Sequence, residues 1–375
     1  MELRKTYRYA IACPSSMGVR ITPERRMQVE NSNTFYTQAT SAETNALSIA
    51  SSLGRECLVL TRFVAGSPIA AFIKSQLRAR NIAFEGPDVE QGGPWGYRHQ
   101  FNIADTGFGL RGPRVWNDRA GEVGRYLSVS DYDLDRLFGE EGVAILHLSG
   151  LIASMSPETT SCCLALVRAA KEHGTLVSFD LNYRDSFWKG REQELMQAFT
   201  QIASEADVLI GGVGLFPLCL GVEAPRAERS DVAAEDSVFA EGSTDALDGS
   251  VSRIDAAREM LVRAKEKFPN VELLGTTLRD IVSANKHQWG AAILADGVWS
   301  VEEQRPIEVL DRIGGGDGFA GGVLYGVLNG WKSQKCLQFG WAAGVLAVST
   351  LNDYAEPADE SQLWDIVAGD ADVQR

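Results

Sequence analysis

Short apolar runs rich in β-branched residues recur along the chain, and between them lie longer stretches whose apolar positions repeat at a helical period. The short runs predict strands at Tyr9 to Cys13, Cys57 to Thr61, Val143 to Leu148, Leu176 to Leu181, Val208 to Ile210 and Leu273 to Thr277. The longer ones predict helices at Ala42 to Leu53, Pro68 to Arg80, Thr159 to His173, Glu192 to Ala206, Ile254 to Lys267, Asp317 to Asn329 and Gln334 to Leu351. Alternation of this kind favours parallel strands joined by right-handed helical crossovers, so an α/β body with helices on the sheet's faces is expected. No internal repeat is visible.

Two stretches break the pattern. From Gln91 to Arg125 the chain is rich in Gly, Arg and aromatic residues, with turn signals, strand-like pieces and no helical period. With the extended residues around Thr34 to Thr37 it could form a β flap over a site at the sheet edge; a long surface hairpin without a role is the plainer alternative. Residues 222 to 250 are acidic, rich in small residues and weakly apolar, which predicts a solvated surface insertion. All 375 residues are otherwise read as one α/β domain, with a flap from about 14–40 and 91–125.

Composition narrows the classes. At 45% hydrophobic and 23% charged residues, the chain can bury a sizeable core. Its 36 basic against 50 acidic residues leave a net charge of −14, which repels phosphate backbones and anionic lipids, so neither nucleic acid nor membrane is expected as a partner. No apolar run reaches the roughly 18–20 residues that span a bilayer, and a cytoplasmic location is expected. The six cysteines lack CxxC or Cys/His ligand spacing and read as small hydrophobes. Of the four histidines, which show no triad or metal spacing, three read as structural and His99, in the flap, could touch a substrate.

The densest chemistry is near the end. After the extended Ile307 to Leu310 come Asp311-Arg312-Ile313-Gly314-Gly315-Gly316-Asp317, then a helical stretch. Three glycines can turn their amides toward one point, and the start of a helix adds unpaired N–H groups and the positive end of its dipole. The result suits a phosphoryl group in flight. A carboxylate there stays ionised and can take the proton of an attacking hydroxyl, making Asp317 the candidate base; a tight turn in which Asp317 only caps the helix is the other reading. The spacing is not that of a Walker loop, and Pro14-Ser15-Ser16 after the first strand is not a dinucleotide fingerprint.

Asp311 to Asp317 with Phe319 resembles the signature of the ribokinase-like (PfkB) carbohydrate kinases, usually D-T-x-G-A-G-D, and the D-R-I-G-G-G-D form is most like 2-keto-3-deoxygluconate kinases. The resemblance implies a three-layer αβα sandwich with a small β-sheet lid and ATP-dependent, Mg2+-assisted phosphorylation of a sugar or sugar acid. By it, Gly314, Gly315 and Gly316 form the anion hole and Asp317 is the catalytic base. Ser178 to Arg184 with Trp188 is similar to S-F-D-x-N-Y-R…W, which implies substrate contacts from Asn182 and Arg184. Val115 to Gly121 resembles the segment ending in Y-x-R-A-G, which adds Arg119, and His147 to Gly150 also fits. Asn45 matches a substrate asparagine. Thr276 to Arg279, Ser283 and Asn285 to Trp289 are similar to the stretch bordering the nucleotide, implying Thr277, Arg279 and Asn285 there, with Gly314 and Gly316. The two arginines make chemical sense in an acidic protein, since a guanidinium fork matches a carboxylate; each could equally be a surface ion pair.

Three departures stand out. Ser15-Ser16 takes the place of a Gly-Glu or Gly-Asp pair, and Thr40-Ser41 that of a Gly-Gly pair. Most seriously, Gly211-Gly212-Val213-Gly214 replaces an N-x-x-E motif that organises magnesium, so the metal-holding residues are unknown. The leading expectation is a kinase acting on the terminal hydroxyl of a sugar acid, 2-keto-3-deoxygluconate going to its 6-phosphate. A PfkB kinase for another sugar and a catalytically weak sugar-binding protein are the alternatives; a dinucleotide oxidoreductase is remote. A homodimer through the flap is expected, because an exposed β edge with apolar residues can pair with its twin.

Overall fold

The computed structural model describes residues 1–223 and 252–372, so almost all of the acidic stretch 222 to 250 lies outside the described residues. A nine-stranded sheet runs from edge to edge through Val298–Glu308, Lys286–Ala295, Leu273–Ser283, Val208–Ile210, Leu176–Asp180, Val143–Ser149, Tyr9–Pro14, Cys57–Leu60 and Ile82–Glu85. The last seven are mutually parallel, as the alternation predicts. One apolar layer packs on each face, one around Leu58, Leu146, Val177 and Phe199, the other around Ile11, Val59, Ile145 and Phe319. Helices on both faces of the sheet make the three-layer αβα sandwich that the resemblance implies.

The edge at Val298–Glu308 departs from the expected βα alternation. Leu273–Ser283, Lys286–Ala295 and Val298–Glu308 form an antiparallel meander. Its second turn is Asp296-Gly297, both at positive φ (51° and 72°), the two-residue geometry that suits a right-twisted hairpin. The Ala- and Gly-rich composition of the middle strand hid it from the strand pattern, although the Asp-Gly pair was a turn signal.

The irregular stretch becomes part of a second sheet of four strands, ordered Phe35–Thr40, Gly18–Pro23, Gln100–Ala104 and Val115–Asp118. It exposes Phe35, Tyr36 and Trp116. Among the described residues no helix is long and apolar enough to cross a membrane.

The helix predicted at Asp317 begins earlier, at Gly315, with Gly314 as its N-cap. Where Thr40-Ser41 stands for two glycines, the Ser41 hydroxyl accepts from the Thr44 N–H and caps Ala42–Ser52. That replacement therefore strengthens the helix start that carries Asn45.

Candidate functional site

In open α/β sheets ligands collect at the carboxyl ends of strands, where the strand order reverses. Here the first strand, Tyr9–Pro14, pairs with Cys57–Leu60 on one side and Val143–Ser149 on the other, so its carboxyl end marks that switch. Ser15 and Ser16 follow it directly. Ser149 and Asp180 lie opposite one another in the ladder, as do Asp180 and Ile210, so these ends form one continuous rim.

Two carboxylates give this rim its floor. Glu43, on the first turn of the Ser41-capped helix, is fully buried and accepts from the Ser15 hydroxyl at 2.6 Å and from the Ser149 hydroxyl. Glu122, also buried, accepts from the Ser16 hydroxyl at 2.6 Å and from Arg119 Nη1 at 2.7 and 2.9 Å. The two serines, standing where the resemblance leads one to expect a glycine and one acid, are thus donors to acids delivered by other segments. Neither Glu43 nor Glu122 was singled out from the sequence, because nothing local distinguishes them from surface glutamates.

Arg119 is held at one nitrogen by Glu122 and lies 5.4 Å from the centre of the Phe187 ring. It is thus in an ion pair, one whose acid is buried while the arginine remains partly exposed. Arg184 donates from Nη1 to the Tyr183 carbonyl at 2.8 Å and sits just before the short Asp185–Trp188 helix. Asn182, two residues past its strand, adopts positive φ (25°), and its Oδ1 is buried with no hydrogen-bond partner. A buried, unsatisfied amide oxygen on strained backbone at a strand end suits a ligand donor.

Across from this rim is the glycine-rich turn. Gly314 has φ 86°, and a Cβ there would lie 1.7 Å from the Asp353 carbonyl oxygen, so only glycine fits. Gly316 is exposed and open on its Cβ side. The N-cap of the Gly315–Leu328 helix, Gly314, has no side chain to offer the first amides, and Asp317 stands at the helix's third position. Asp317 Oδ2 accepts from Asn45 Nδ2 at 2.8 Å. Open amides, the dipole's positive end and a half-buried carboxylate thus converge on one spot.

On the nucleotide side the placements are uneven. Thr277 and Arg279 lie on the antiparallel extension of Leu273–Ser283, beyond the rim. Asn285 spends its side chain elsewhere: Oδ1 accepts from the Gly109 N–H at 2.7 Å and Nδ2 donates to the Val309 carbonyl at 3.2 Å. It joins the flap loop to the strand leading into the turn. His99 is buried between the Met17 carbonyl (3.0 Å) and the Val64 N–H (3.4 Å), and burial lowers its pKa. It is a buried tie between the second sheet and the Phe63–Val64 strand. His147 packs under the rim against the Ser178 hydroxyl (3.1 Å), and burial pushes its pKa down to about 4.

The segment Gly211–Gly214 brings no carboxylate to the rim. Among the described residues no group of three or more His, Cys, Asp or Glu side chains is arranged to hold a metal ion. A cage of three or more such protein ligands for magnesium is therefore absent among the described residues, which leaves one or two carboxylates with waters and phosphates as the way such an ion would be held.

Comparison with known proteins agrees with this geometry. Residues 288–359, which contain the glycine-rich turn, match the pfkB family carbohydrate kinase profile. The chain is 27% identical over 232 residues to a 5-dehydro-2-deoxygluconokinase of Clostridium perfringens, an alignment covering 62% of this chain and 56% of the relative's length. Among solved structures, a 2-dehydro-3-deoxygluconokinase of Thermotoga maritima superposes with a TM-score of 0.80 at 22% identity, covering 96% of this chain and all of that one. An Escherichia coli structure in complex with ATP and Mg2+ has the same fold, with a TM-score of 0.71 at 15% identity over 96% of this chain and 99% of that one. The resemblance to PfkB carbohydrate kinases seen in the sequence therefore extends through the fold.

Proposed function

We propose that this chain is an ATP-dependent sugar-acid kinase that phosphorylates the terminal hydroxyl of 2-keto-3-deoxygluconate, giving the 6-phosphate. One observation carries the reading: the open Gly314–Gly316 turn at a helix start, with the Asp317 carboxylate beside it held by Asn45.

In this reading the sugar acid lies along the rim. Arg119, kept in place by Glu122, retains Nε and Nη2 for the substrate carboxylate, and Arg184 supplies the second cation. Asn182 Oδ1 accepts from a sugar hydroxyl. The terminal hydroxyl meets Asp317, which takes its proton as the oxygen bonds to the γ-phosphorus of ATP and the bond to the ADP oxygen breaks. Amides of residues 314–317 stabilise the charge on the transferring phosphoryl oxygens, and Asn45 keeps the carboxylate turned toward the hydroxyl. The names of the relatives support a keto-sugar acid as substrate.

The test is a coupled ADP-release assay with 2-keto-3-deoxygluconate and 5-dehydro-2-deoxygluconate, with and without added Mg2+. Turnover on either acid at the ~1–100 s⁻¹ of ordinary kinases upholds the class and ranks the two substrates. Preference for a neutral sugar would defeat the arginine clamp. The carboxylate-free Gly211–Gly214 segment favours a second reading, a sugar-acid binder with little turnover. It predicts thermal stabilisation by the sugar acid without ADP release.

A further inference from the structure

Arg20 lies mid-strand in the second sheet, yet its side chain is completely buried. Its Nη2 donates to Asp311 Oδ2 at 2.5 Å and its Nη1 to Asp353 Oδ1. Asp311 opens the glycine-rich turn and, through Oδ1, accepts from the Ile313 N–H at 3.1 Å. Asp353 backs the same turn from behind: its carbonyl oxygen occupies the space where a Gly314 side chain would be. Its second carboxylate oxygen lies 3.1 Å from the Thr40 hydroxyl, which is 3.0 Å from Asn45 Oδ1. Asn45 in turn holds Asp317. One cation therefore touches both acids that frame the turn, and a continuous polar chain leads from it to the candidate base.

We propose that Arg20 is a positioning residue for phosphoryl transfer, acting through Asp311 and Asp353 to fix the Gly314–Gly316 amides relative to Asp317. Its effect on turnover rests on the kinase reading given above. Two buried carboxylates on either side of a three-glycine segment repel one another, and glycines offer little stiffness of their own to resist. A guanidinium answers both at once because its fork presents two nitrogens at a set angle, which an ammonium cannot do. A displacement of the amides by about 1 Å is enough to cost ~10²-fold in rate.

The experiment compares Arg20→Met, Arg20→Lys and Asp353→Asn with the wild type, each at a temperature where circular dichroism shows it folded. Arg20→Met is expected to lower kcat per folded molecule ~10²-fold while the KM for the sugar acid stays within about threefold, and Arg20→Lys to recover about tenfold of the loss. In the ligand-free protein, hydrogen exchange at the amides of residues 314–318 should quicken in Arg20→Met, with the Val143–Ser149 strand unchanged. A merely structural ion pair would lower the melting temperature and leave kcat per folded molecule and turn exchange alone; that result overturns the proposal. Should Arg20→Met fail to fold, Asp353→Asn keeps the backbone carbonyl and is expected to lose about tenfold in kcat with the same local exchange signature, and no change in either refutes the assignment. A wild type that turns over no sugar acid defeats the kinase reading, and Arg20 is then judged on the exchange measurement alone.

Discussion

At the glycine-rich turn, everything offered to a ligand comes from consecutive backbone amides and one adjacent carboxylate. On the rim opposite, the polar groups are side chains from separate segments: Ser15 and Ser16 after the first strand, Glu43 on a helix, Arg119 and Glu122 from the insertion, Ser149, Asn182 and Arg184 after two further strands. The turn suits a group that is the same in every reaction of its kind, a phosphate, and needs only geometry. The rim suits a variable group, because its members come from separate segments and meet only as side chains, as Ser15 with Glu43 and Ser16 with Glu122 illustrate.

The contrast is broken most directly at Asp317. Asp317→Asn keeps the shape and the neighbour Asn45 but removes the proton acceptor, and kcat is expected to fall by 10²- to 10⁴-fold with the melting temperature nearly unchanged. An unchanged rate in steady-state assays takes Asp317 out of its role.

Acid should weaken the fold that carries the rim. The buried His147, with its pKa pushed down to about 4, is neutral in the folded chain, whereas the unfolded chain takes up its proton near pH 6.5. The unfolded state binds more protons in that window, so this contribution is intact above about pH 6.5 and is lost as pH falls toward about 4, by up to about 3 kcal/mol. Denaturant titrations across that range should show the slope, and His147→Gln should flatten it.

Two glycines separate structure from function within the turn. Gly314→Ala forces a side chain into left-handed backbone and against the Asp353 carbonyl, and should cost at least about 2 kcal/mol of stability. Gly316→Ala meets no neighbour, so its melting temperature should hold while the methyl in the open mouth lowers turnover. Equal effects on stability would mean the turn is placed differently. The smallest change is expected at Glu122→Gln, which weakens the hold on Arg119: about a tenfold rise in KM for the sugar acid with little change in kcat.

How much of this was legible follows the same division. Repeating apolar runs placed six of the seven parallel strands within a residue or two, apart from the long extension of Leu273–Ser283, because a strand buried on both faces must be apolar throughout, whereas Ile82–Glu85, only partly buried at the sheet edge, was missed. The turn was readable because its function uses glycine itself. Asn45 and Asp317 each stand out in the sequence, but that one holds the other does not. The antiparallel edge is faint because Gly and Ala carry little strand signal, and nothing local marks Arg20 as a residue whose partners lie near the chain's end.

By itself the amino-acid sequence determined the α/β alternation and the glycine-rich turn with its adjacent carboxylate, since each rests on neighbours along the chain. Tertiary structure alone decided which acids face Ser15 and Ser16, that Asn285 ties loops together, and that Arg20 meets Asp311 and Asp353 from 291 and 333 residues away. A charge can be buried only where its partner also arrives, and that meeting depends on how the whole sheet and its covering strands close, which no local pattern records.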